Sequence, residues 1–130
     1  MKKLLFFPIL FFSFQINVKA QSHYVDRLSA EIKKAPVDTH AVTLYNMIAK
    51  YYNDRNMPKA GPAAKKAMQL ADSLDFKDGL AYATMIYGTF LGNEGNFTEE
   101  RNYHRKAIAM FADLNDEEGE AKSFEYLAIA

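Results

Sequence analysis

The side chains able to do chemistry are few and poorly grouped. Histidine occurs only at 23, 40 and 104, and no HExxH pair sets two imidazoles on one helical face, as a zinc hydrolase requires. The five serines lack a G-x-S-x-G turn to expose a nucleophile, and no G-x-x-x-x-G-K-[ST] loop is present to cradle phosphates. The acidic run Asp116-Glu117-Glu118-Gly119-Glu120 lacks the alternating Asp/Asn ligands of a calcium loop and reads as a helix start facing solvent. With no cysteine in the chain, disulfides, thiolate zinc sites and a lipid-modified N-terminal cysteine are excluded. These residues point to a protein that is not an enzyme and carries no metal or cofactor.

Two further stretches invite a reading. Arg101-Asn102-Tyr103-His104-Arg105-Lys106 is basic, but on a helix its members point in several directions and Glu99 and Glu100 adjoin it, so it reads as a solvated face. Asn96-Phe97-Thr98 matches the N-glycosylation sequon, plausible on an exposed turn of an exported chain. The turn alone also accounts for that asparagine.

Export is expected from the first 20 residues. Lys2 and Lys3 precede the apolar run Leu4–Phe14, and Val18-Lys19-Ala20 supplies a small-residue cleavage site, so residues 1–20 read as a signal peptide cut near Ala20. As a helix that run would span only about 16 Å against a hydrocarbon core of about 30 Å, so no stable membrane span is expected. The mature chain is then periplasmic or extracellular. Of 130 residues carrying 16 basic and 16 acidic groups, cleavage removes three lysines and no acid, which leaves a net charge of −3. A nucleic-acid partner for this segment would need the opposite sign.

The rest of the chain repeats itself at an offset of 40 residues without a gap. Asn53 falls on Asn93, Asn56 on Asn96, Lys66-Ala67 on Lys106-Ala107, Leu74 on Leu114, Gly79 on Gly119 and Ala81 on Ala121. Within a copy the period is helical. Ala41, Leu44, Tyr45, Ile48 and Tyr52 form one stripe, and Ala60, Ala63, Ala67, Leu70 and Leu74 form a second after the polar turn Asn53–Asn56. Each copy is therefore a helical hairpin, and its alanine-rich second helix lets neighbours approach closely. One amphipathic hairpin cannot bury its own stripes, so the expected fold is all-α, an α-solenoid of stacked antiparallel hairpins. Residues 21–38 hold a leading or capping helix and linker, with Val25, Leu28 and Ile32 on one face and Pro36 as the break. The repeats occupy 39–78, 79–118 and a partial 119–130. In this register Ala130 falls on Phe90, within a first helix, so the array is expected to be incomplete at its C-terminus. Its Phe124 and Leu127 face would be covered by further chain or by self-association.

These residues resemble the tetratricopeptide repeat family. Tyr87-Gly88, Leu91, Gly95-Asn96-Phe97 and Lys106-Ala107 in the second copy and Leu127-Ala128 in the third carry the resemblance. Ile48, Thr84 and Glu100 depart from the family's pattern. The 40-residue period is similar to a variant with an extended second helix, common in exported bacterial sensor regions.

The resemblance implies a concave wall built from the first helices. Helical spacing assigns to it Val42, Tyr45, Ala49, Tyr52 and Asn53, then Tyr82, Met85, Thr89 and Asn93, then Lys122, Glu125 and Ile129. Of these, Tyr45, Tyr52, Asn53, Tyr82, Met85, Asn93 and Lys122 are the candidate protein-binding residues, since tyrosine offers contact area with a hydroxyl and asparagine can bond a peptide backbone. The expected function is a non-catalytic scaffold for a protein or peptide. The alternative is the N-terminal sensor segment of a longer signalling regulator, of histidine-kinase or DNA-binding type, whose output module is absent.

Overall fold

A computed structural model of the chain describes residues 23–34 and 36–129. The expected signal peptide and its cleavage site lie outside these residues. The described residues are all-helical, without a strand, and the chain divides into two units at Lys34 and Ala35.

In the first unit, residues 23–34 form α1, in which Leu28 is buried and Val25 and Ile32 are half-buried. That matches the expected amphipathic stripe. Pro36, the expected break, lies outside the helix.

The second unit holds α2 (Thr39–Asn53), α3 (Ala60–Ser73), α4 (Lys77–Asn93), α5 (Phe97–Leu114) and α6 (Glu117–Ile129). Each helix packs on the next, and α4 also packs beside α2 and α6, so the first helices of successive hairpins stand side by side. Over the turns and second helices, the 40-residue repetition also holds at the level of burial. The pattern of buried, partly buried and exposed positions over 71–80 recurs residue for residue over 111–120.

Local chemistry ends each helix at its turn. Asn56, Asp75, Gly95 and Asn115 adopt positive φ, and the next amide N–H reaches back to the carbonyl five residues earlier: Met57 to Tyr52, Phe76 to Ala71, Asn96 to Leu91 and Asp116 to Phe111. This is the Schellman closure, which satisfies carbonyls that a helix end leaves open. Asp38, Asn96 and Asp116 then act as N-caps, their side-chain oxygens accepting from the N–H groups of Ala41, Glu99 and Gly119.

Small residues set the spacing between helices. Ala60, Ala64, Ala67 and Ala71 on α3 are fully buried, as expected of an alanine-rich second helix, and Ala49, Ala64, Ile86 and Tyr87 form one core cluster with Phe90, Leu91 and Tyr103 around it. A second cluster joins Ala81 and Met85 to Ala107 and Phe111. Gly79 and Gly119, one register apart, both permit close approaches. A methyl at Gly79 would collide with the Phe76 ring and lie 2.7 Å from Val42 Cγ1, and one at Gly119 would meet the Phe111 ring. On α6, Phe124 is 51% exposed and Leu127 is partly buried.

Candidate binding groove

The first helices α2, α4 and α6 border two depressions on their shared face. One, of about 370 Å³, lies between α2 and the start of α4 over Met47, Phe76, Tyr82 and Ile86, with Thr43, Asn46, Lys50 and Asp78 around it. The other, of about 350 Å³, runs between α4 and α6 and is bordered by Lys50, Asn53, Asp54, Tyr82, Met85, Ile86, Thr89, Lys122, Glu125 and Tyr126. They share Lys50, Tyr82 and Ile86, so they are two halves of one groove.

Tyr82 stands at the junction. It lies half-buried at the register position of Lys122, and its ring meets Phe111 edge-on with centroids 5.0 Å apart. That contact fixes the ring against the core while one face remains available. Burial, and then the nearby Asp116 carboxylate, raises the phenol above its ordinary pKa, so Tyr82 stays a neutral hydrogen-bonding group at neutral pH. The two rim lysines have acidic partners one turn away. Lys50 Nζ lies 2.8 Å from Asp54 Oδ2, and Lys122 donates to Glu118, a hydrogen bond that raises the lysine's pKa. Such exposed pairs contribute little to stability, so both side chains can exchange partners at small cost.

Of the asparagines expected on the wall, Asn53 ties the stack together and Asn93 adds only long contacts. Asn53 is 7% exposed, and its Nδ2 donates to the Ile86 carbonyl at 2.8 Å, tying α2 to α4. Asn93, exposed at the end of α4, has its Nδ2 3.5 Å from both the backbone and side-chain oxygens of Asn53. Asn46 repeats the device near the other end, donating to the Gly79 carbonyl at 3.0 Å.

The groove gathers Asn53, Tyr82, Met85 and Lys122 from the candidate set, with Thr89 and Glu125 from the wider wall. Met85 forms its floor, only 7% exposed and packed with Ala107 and Phe111. Tyr45, Tyr52 and Asn93 are not in it. The groove takes Thr43, Asn46, Met47, Lys50 and Asp54 from α2, and Tyr45 and Tyr52 each fall two residues past a lining position, turned about 200° around the helix. Tyr52 sits at the turn instead, with Tyr51 edge-on at 5.9 Å and Lys59 Nζ 5.9 Å above its ring. Val42 and Ala49 are fully buried rather than on the wall, and Ile129 is 79% exposed beyond the groove. On α2, Asn53 lines the groove as expected, whereas Val42, Tyr45, Ala49 and Tyr52 each lie one residue before a lining position. Register does not separate the faces of α2: Asn46, Ile86 and Tyr126 are 40 residues apart and all line the groove, yet Tyr45 is outside it although Met85 and Glu125, in the same register, line it.

A second group of polar side chains is buried behind it. His104 is fully buried, which corrects the expectation of a solvated face, and neither ring nitrogen has a hydrogen-bond partner. Its ring stacks on Tyr126 at 5.3 Å and would stand 3.0 Å from a methyl at Gly88. Glu100, one turn earlier, is 9% exposed with Oε1 3.9 Å from His104 Nε2. Burial drives the two in opposite senses, His104 down to about 4 and Glu100 upward, so His104 is neutral at pH 7. Ser123 Oγ is buried without a partner on α6. Among the described residues no three His, Asp or Glu side chains are grouped to hold a metal ion, and no helix is long and apolar enough to cross a membrane. Compared with known proteins, the chain matches no family model, no curated protein and no solved structure.

Proposed function

We propose that the chain is an exported, tetratricopeptide-like scaffold that binds a protein or peptide segment along the α2–α4–α6 groove and catalyses nothing. The observation that carries this reading is the continuity of the groove: three side-by-side helices, an apolar floor of Met47, Phe76, Met85 and Ile86, and Tyr82 where the halves meet. A partner side chain would enter the apolar half, and its backbone would meet Tyr82 and the polar rim of the other. Affinity then comes from a few aromatic anchors rather than from charge, because the rim lysines already have acidic partners.

The test is selection of peptides from a random library on the immobilised full chain, followed by affinity measurement with variants. Tyr82→Ala is expected to weaken an enriched peptide by about 30-fold, equal to about 2 kcal/mol. Tyr52→Ala, turned away from the groove, should change it by less than about 2-fold. Equal losses at both positions, or no enrichment at all, would refute the assignment.

A further inference from the structure

The two hairpin turns of the array are built alike but place their asparagines differently. In the first, Asn56 itself takes the left-handed position, with φ 51°. In the second, Gly95 takes it, with φ 81°, and the asparagine falls one residue later, as the N-cap of α5 with φ −90°. From there Asn96 Oδ1 accepts the Glu99 N–H at 3.4 Å. The cap uses the oxygen and leaves the amide nitrogen out of the helix. Residues 93–99 are all exposed, and no atom lies within 4 Å of a Cβ built on Gly95, so approach to this turn is open. Thr98 places a hydroxyl two residues after Asn96, whereas Pro58 holds the matching place in the first turn. The ring of Phe97, 54% exposed between them, gives a first sugar an apolar surface to cover.

From this geometry we infer that Asn96 is the acceptor for an N-linked oligosaccharide, carried on the α4–α5 turn. The donor is an oligosaccharide linked through its anomeric carbon to a lipid diphosphate, and the catalyst is an oligosaccharyltransferase. Asn96 Nδ2 bonds to the anomeric carbon and gives up one of its two protons to solvent. The bond from that carbon to the diphosphate oxygen breaks, and the lipid diphosphate leaves with the electron pair. No electron is gained or lost overall. Oδ1 is untouched, so the α5 cap survives modification. The inference rests on the export reading for where the chain would meet the donor, but the acceptor chemistry is tested without export.

The experiment incubates the purified, folded full chain with a single-subunit oligosaccharyltransferase and a lipid-diphosphate-linked oligosaccharide, alongside a sequon peptide as positive control. Intact mass and peptide mapping should show one glycan, on Asn96. Asn96→Gln and Thr98→Ala should abolish it and Thr98→Ser should keep it, with circular dichroism confirming that each variant is helical. Thr98→Ala leaves the capping asparagine in place, so its loss of modification does not come from an altered cap. A folded chain left unmodified while the control peptide is glycosylated, a glycan on another residue, or modification only after denaturation would overturn the inference. N-terminal sequencing of the chain secreted from cells tests the export reading independently.

Discussion

Burial of His104 should make the array acid-labile in a way that one substitution can isolate. The imidazole is enclosed by Gly88 of α4 and Tyr126 of α6, with no partner for either nitrogen, and desolvation takes its pKa from 6.5 to about 4. The unfolded chain therefore binds a proton that the folded chain refuses between those values. The stability that His104 contributes by staying neutral is complete above pH 6.5 and is lost as pH falls toward 4. A difference of about 2.5 pKa units corresponds to about 3 kcal/mol. Glu100 works the other way. Its raised pKa means that the fold gains as pH falls through that value, because the buried carboxyl is better tolerated when protonated. Urea unfolding followed by circular dichroism at pH 7, 5.5 and 4 measures the effect as a difference between chains. Wild type should lose about 3 kcal/mol relative to His104→Leu on going from pH 7 to 4. Glu100→Gln should steepen the loss, since it removes the opposing contribution. Parallel profiles for wild type and His104→Leu would refute the reasoning, whatever the absolute stabilities.

Other substitutions probe the packing. Gly79→Ala would press a methyl into Phe76 and Val42 and should cost about 1–3 kcal/mol in urea unfolding, with Gly119→Ala, against Phe111, behaving alike. Asn53→Ala removes the 2.8 Å hydrogen bond to Ile86 and should cost about 1–3 kcal/mol, whereas Asn93→Ala, exposed and 3.5 Å from its partners, should stay within about 0.5 kcal/mol; denaturant midpoints decide between them.

The features legible in the sequence were those where backbone geometry leaves few residues to choose from. Asp75 and Asn115 sit at left-handed positions, Gly79 and Gly119 at helix crossings, and Ala67 and Ala107 where helices meet, so the same or similar types recur 40 residues apart. The groove face of α2 was harder to read. A one-residue error turns a helix by about 100°. The true face, with Thr43, Asn46 and Met47, is no more apolar than the neighbouring Val42, Tyr45 and Ala49, so composition does not separate them.

His104 makes the same point about which signal to weigh more. Judged by residue type, a histidine between Tyr103 and Arg105 belongs at the surface. Judged by register, Glu100 falls on Ala60 and His104 on Ala64, two of the fully buried alanines of α3, so both belong on the inward stripe of α5. The structure follows the register, and room is made for the imidazole by Gly88 on α4, where the first copy carries Ile48. Stacking therefore decides which way a residue faces, and residue type decides what that orientation costs. In the first copy the stripe is alanine and its burial is insensitive to pH. In the second it carries His104, whose charging in acid is opposed only by the protonation of Glu100, so the α4–α5–α6 end of the array should loosen in acid while the α2–α3 end does not. Hydrogen exchange at pH 4.5 against pH 7, corrected for the intrinsic rate, should show protection falling first in α5 and α6 and surviving in α2 and α3. Uniform loss across the five helices would mean that the unit opens as one and that His104 sets its global stability instead.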